Sequence, residues 1–192
     1  MAGMHGLGRL FDIGLAVAPV DINTSDAATG KRISMQGATG ITIVAVTLAG
    51  GADDLVFDLQ QHTAYTSGTS KDLEADAAGG IAGTTETSFY HIKAETALDN
   101  DESWVKVPIT TGASTTSEVT VVGATYGAMQ KLVAIYVSAD QLADGYTHLS
   151  VNVACTTSTS QLLAVLYIVH DLASQRTPAN LPNLLRPGAA NA

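Results

Sequence analysis

Apolar and polar residues alternate along much of this 192-residue chain, and the dominant period is two. Leu55, Phe57 and Leu59 share one parity, with Asp54, Asp58 and Gln60 on the other. Successive side chains of a strand point to opposite faces, so the pattern predicts a half-buried β-strand. The clearest case is residues 146–155. Leu149, Val151, Val153 and Cys155 face one way, and His148, Ser150 and Asn152 face the other. One face is expected in the core and the other in water.

Residues 41–48 and 132–137 are apolar on both parities, which predicts central strands. Shorter strands are expected at 15–22, 31–35, 88–94, 104–109 and 118–122. Pro108 has no amide donor, so its strand lies at an edge or ends there. In residues 162–169, Leu162, Val165, Leu166 and Val169 also fit a helical stripe. The β-formers Val165, Tyr167, Ile168 and Val169 decide for a strand, expected to be buried on both faces.

Gly-rich loops are predicted at 49–54 and 78–85, and a polar turn at 98–102. Ser138 and Gln141 have capping-box spacing, which predicts one helical turn over 139–143, stopped by Gly145. Eight to ten strands with little helix make an all-β chain, an antiparallel β-sandwich or jelly roll with extended terminal arms. The arms are read from composition. Residues 1–14 are Gly-rich with scattered apolar side chains, and residues 15–172 form the sandwich. Residues 173–192 are an extended Pro-rich arm in which Pro178, Pro182 and Pro187 exclude helix and central strand. Leu181, Leu184 and Leu185 lie between these prolines, so Pro178, Leu181, Pro182, Leu184 and Leu185 are candidate assembly contacts.

Composition narrows the function. Apolar residues make up 46%, enough for a core without disulfides or metals, and Cys155 is the single cysteine. Charged residues are only 14%, against about a quarter in ordinary domains. A smooth, weakly charged surface suits contact with other subunits. The net charge is −9, and between Asp53 and Glu102 eleven acidic residues face only Lys71 and Lys93. Without a basic cluster, neither nucleic acid nor an anionic membrane is an expected partner. The N-terminus shows no signal-peptide pattern, and the longest apolar run is too short to cross a bilayer as a helix.

Catalytic patterns are sparse. His5, His62, His91, His148 and His170 show no helical metal-pair spacing. His170–Asp171 is a conceivable triad fragment, but no Gly-x-Ser-x-Gly elbow accompanies it and Cys155 has inward parity. The glycines around Gly30 and Gly50 lack a following Lys-Ser or Lys-Thr, so no phosphate loop is predicted. Asp99, Asn100, Asp101 and Glu102 are the best calcium candidates, read more simply as an exposed acidic turn. Trp104 is the single tryptophan, a thin basis for a glycan platform. Tyr136 and Tyr167 are expected in the core. The expectation is a non-enzyme without cofactor or metal.

Three stretches carry a resemblance: Val20-Asp21-Ile22-Asn23-Thr24, then Gly30-Lys31-Arg32-Ile33-Ser34 running on to the strand at 41–48, and the segment 93–104 from Lys93 to Trp104. With the ending 172–186, which holds Pro178-Ala179-Asn180-Leu181-Pro182, they resemble small virion structural proteins of tailed bacteriophages. The resemblance implies a capsid decoration or minor capsid subunit that binds the assembled shell. Its partners would be the major capsid protein and copies of itself, as a homo-oligomer and, by shell symmetry, a trimer. It would be made in the host bacterial cytoplasm and end on the capsid exterior. The alternatives are a phage tail subunit and a carbohydrate-binding β-sandwich module, with a Ser or Cys hydrolase behind them.

Overall fold

Alternation of apolar and polar side chains is realised as strands over most of the chain. The computed structural model describes residues 10–22, 27–73, 89–109, 118–155 and 160–172. Among them are eleven strands: β1 (Phe11–Ile22), β2 (Ile33–Ser34), β3 (Ala38–Thr47), β4 (Leu55–His62), β5 (Ser70–Asp72), β6 (Phe89–Glu95), β7 (Val105–Pro108), β8 (Glu118–Val121), β9 (Gln130–Ser138), β10 (His148–Cys155) and β11 (Gln161–Leu172). A four-residue helix, α1 (Gly123–Tyr126), follows β8. A single 3₁₀ turn, Ala139–Gln141, follows β9; there the Gln141 side chain accepts the Ser138 N–H at 3.1 Å. Gly145 then reverses the chain at φ +83°.

All pairings are antiparallel. A larger sheet runs β1-β11-β3-β9-β6-β7, and a smaller one runs β2-β10-β4 with β5 and β8 sharing the far edge of β4. The pairs are nested: β4 with β8, β3 with β9, β2 with β10 and β1 with β11. A long hairpin that folds over on itself gives this order, four strands to each sheet, which is the jelly-roll arrangement. The segment between β4 and β8 adds β5 to the smaller sheet and β6–β7 to the larger. Pro108 ends β7, the edge strand, as its missing donor requires.

The two inner faces meet in one core. Ile41, Ile43, Val133, Ile135, Val165 and Val169 come from the larger sheet, and Leu55, Phe57, Val119, Leu149, Val151 and Val153 from the smaller. Tyr167 joins them fully buried. Its hydroxyl donates to the Lys31 carbonyl at 2.8 Å and accepts the Val151 N–H at 3.1 Å. That amide needs a partner because the β2 ladder stops at Leu149↔Ile33 and resumes only as an isolated bridge at Ala28↔Val153. Between them Gly30 presses on β10 so closely that a Cβ would lie 1.9 Å from the Val151 oxygen.

Four expectations change. Strand β1 begins at Phe11, within the stretch read as an N-terminal arm. Residues 31–35 yield only two strand residues. Strand β11 is buried on one face alone: Leu163, Val165, Tyr167 and Val169 are enclosed, while Leu162 is 47% exposed. Tyr136 is half-exposed and lies on the outer face, its ring over Gly40, where a Cβ would meet it at 2.6 Å. A run apolar on both parities guarantees one buried face, and the second face depends on what else packs there. The loop at 78–85 and the assembly candidates Pro178, Leu181, Pro182, Leu184 and Leu185 lie outside the described residues.

Candidate functional site

The sequence candidates for chemistry do not converge. His170 sits on the outer face of the larger sheet, its Nε2 3.2 Å from the Thr42 hydroxyl and its ring stacked on Tyr136 with centroids 5.3 Å apart. Cys155 lies on the inner face of the smaller sheet, and burial raises its thiol pKa. The two belong to different sheets and opposite faces, so they build no dyad.

A polar cluster the sequence did not announce covers the outer face of the smaller sheet. His62 Nε2 is 2.7 Å from the Ser150 hydroxyl, and its Nδ1 is 2.7 Å from the Ser70 hydroxyl. Arg32 donates to Ser70 and to the carbonyls of Ala64 and Ser67, tying down the turn between β4 and β5. Alongside, Asp58 accepts from Gln60 and Asn152, and Gln60 also donates to Asp72 at 2.6 Å. The β4–β10 register brings these side chains into adjacent rows. Ser150, placed in water by its parity, is only 3% exposed. The parity was right and the solvent exposure wrong, because the His62 ring, held by Ser70 of β5, bonds the Ser150 hydroxyl.

A histidine beside a serine hydroxyl is the geometry of a general base and a nucleophile. Here both groups are buried, and the group at Nδ1 is a hydroxyl in place of a carboxylate. Burial, aided by the charge of Arg32 and by His148, lowers the His62 pKa to about 4. The ring is therefore neutral at pH 7 but a weak proton acceptor. What the arrangement does is cross-link β4, β5 and β10.

The acidic turn gathers as its sequence suggested, with Glu95 of β6 added. The carboxylates of Glu95, Asp99, Asp101 and Glu102 bring one oxygen each within 4.8 Å of one another. Calcium holds its oxygens at 2.3–2.6 Å, so opposite ligands lie up to about 5 Å apart and the spacing would admit the ion. Glu102 accepts the Asp99 N–H at 2.7 Å and Asp99 accepts the Asp101 N–H, with Asn100 at φ +78°. Such bonds also describe an acidic turn by itself. Desolvation and the neighbouring carboxylates of Asp101, Asp99 and Glu102 raise the Glu95 pKa. Trp104 is half-exposed at the start of β7, with the Lys93 ammonium 5.6 Å from its ring centre.

The largest feature is the outer face of β1, β11, β3 and β9. Register places Ile13, Ile168, Thr42 and Tyr136 in one row, and Leu15, Leu166, Val44 and Ala134 in the next. Ala164, Val46 and Leu132 form a third row, and Leu162 and Leu48 lie beyond it. Ile13, Leu15, Val46, Leu48, Tyr136 and Leu162 are each at least 36% exposed. No charged side chain stands in the first three rows across these four strands; Asp21, Lys93 and Glu95 stand at the margins. Scattered apolar side chains on a surface are ordinary, but a contiguous sheet face marks an interaction site. No known protein family, curated relative or solved structure matches this chain.

Proposed function

We propose that this chain is a non-enzymatic structural subunit of a virion, a capsid decoration or minor capsid protein that binds an assembled shell. The observation that carries the reading is the contiguous apolar outer face of β1, β11, β3 and β9, a surface made for another protein and not for a small substrate. Jelly rolls serve as viral capsid domains and as lectins, and a fold by itself fixes neither role. The buried His62–Ser150 pair, the one constellation with catalytic geometry among the described residues, supports a structural use. The resemblance of segments 20–24, 30–34, 41–48, 93–104 and 172–186 to phage virion proteins supplies the particular assembly. A tail subunit is the second virion location consistent with the same surface.

The test is co-sedimentation of the purified full chain with phage particles lacking it, beside a glycan-binding screen. The virion reading expects saturable binding to particles and no glycan retention. Glycan binding without particle binding would replace it with the carbohydrate-binding module.

A further inference from the structure

The apolar face has a definite size and chemistry, and both point to one occupant. Strands are spaced about 4.8 Å apart and same-face residues recur about every 6.7 Å. Four positions in each of the first two rows, three in the third and two beyond it span about 400 Å² in plan. The solvent-accessible area of such a ridged surface exceeds its plan, in the direction of the ~800 Å² per partner that a standard interface buries. The face matches in scale the largest apolar patch of a monomer, about 300–600 Å², which is often functional.

Charge limits what can sit there. The chain carries −9, so a second copy is repelled from most approaches. The first three rows, from Ile13–Tyr136 to Ala164–Leu132, carry no charge on these four strands. Two copies can meet there without opposing like charges across the centre. The face is also self-complementary in kind. The opposite side of this same sheet already packs an apolar sheet face within the chain, and aligned sheets stack about 10 Å apart when both faces are apolar. A two-fold axis presents one patch to itself and needs no second matching surface.

We infer that a second copy of this chain packs on this face, larger sheet against larger sheet, as an isologous dimer. This deepens the virion reading by naming one partner, and it makes a dimer the elementary unit in place of the trimer expected from shell symmetry. Tyr136, stacked on His170, stands in the first row and gives the contact an aromatic anchor of the kind that dominates interfaces.

The experiment is analytical ultracentrifugation of the purified full chain against Val46→Lys and Leu48→Lys, with Thr120→Lys on the exposed side of β8 as control. Circular dichroism checks the fold of each. Val46 and Leu48 are 41% and 48% exposed, so lysine there is compatible with the monomer, and either folded variant suffices. We expect the wild type and Thr120→Lys to dimerise, and the face variants to dimerise at least ~100-fold more weakly, because a desolvated unpaired ammonium opposes the contact. A wild-type monomer would overturn the inference, as would face variants that dimerise like the wild type. If the full chain is monomeric and becomes dimeric when Leu181, Leu184 and Leu185 are changed to Ser, the chain's own arm covers the face, which also overturns it. A monomer that still binds particles sinks the dimer and leaves the virion role. A dimer that binds no particles does the reverse.

Discussion

Removing one oxygen atom, in Tyr167→Phe, tests how the two sheets are joined. The phenol projects from β11 through the core and bonds two backbone groups of the smaller sheet's side, the Lys31 carbonyl and the Val151 amide. Both are needed because β2 is too short to pair with β10 at Val151. The ring itself is kept in the variant, so packing changes little. What remains is the buried Val151 donor and the part-buried Lys31 acceptor without their partner, about 1–3 kcal/mol for the first and about 1 kcal/mol for the second. The expected loss is therefore about 2–4 kcal/mol. For a domain of this size each kcal/mol lowers Tm by about 2–4 °C, so thermal melting should fall by about 5–15 °C, with a matching decrease in the urea midpoint at unchanged slope. A loss below about 0.5 kcal/mol would refute the reasoning, since it would mean that water or another group satisfies both atoms.

Three further outcomes follow from the same structure. Val151→Asp should unfold the chain, and Ser150→Asp should cost about 1–3 kcal/mol because that position is only 3% exposed; chemical denaturation compares them, and a silent Ser150→Asp would contradict the buried cluster. The His62 pKa is lowered from 6.5 to about 4, so the neutral ring's contribution is complete above about pH 6.5 and is lost as pH falls toward 4. Allowing for the ring's partial contact with solvent, the loss is about 1–3 kcal/mol, and stability against pH should flatten over that range in His62→Gln; parallel curves for the two proteins would refute it. Deleting the residues after Leu172 should leave the melting transition in place and weaken particle binding, as read by co-sedimentation; equal binding would make residues 173–192 a passive tail.

Period-two patterning placed β4 and β10, and apolar β-rich runs placed β3, β9 and β11, while β5 left no pattern to read. Even 162–169, which also fits a helix, declared itself through its β-branched residues. Local pattern carried less about neighbours. The nested pairing of β1 to β11 and β4 to β8 joins segments far apart in the chain, and no residue in either announces its partner. Strands β3 and β9, apolar on both parities, are central in their sheet as expected, whereas β11 was expected to be covered on both faces and is covered on one. The sequence holds no sign that their second face would stay open, and that open face is the candidate site. Ser150 erred in the opposite sense: its polar parity was legible, but the His62 ring of β4 bonds its hydroxyl and the position is buried. The acidic turn was legible because Asp99, Asp101 and Glu102 lie within four residues; Glu95 joined it only through the β6–β7 hairpin.

The central claim is that this chain is a stoichiometric part of a virion. The most direct measurement is its copy number in purified particles, by quantitative mass spectrometry against the major shell protein. The account predicts a fixed integer-related ratio that survives repeated density-gradient purification and is unchanged in His170→Ala and Cys155→Ser particles. Absence of the chain from infectious particles, or a ratio that falls toward zero with each gradient, would contradict it.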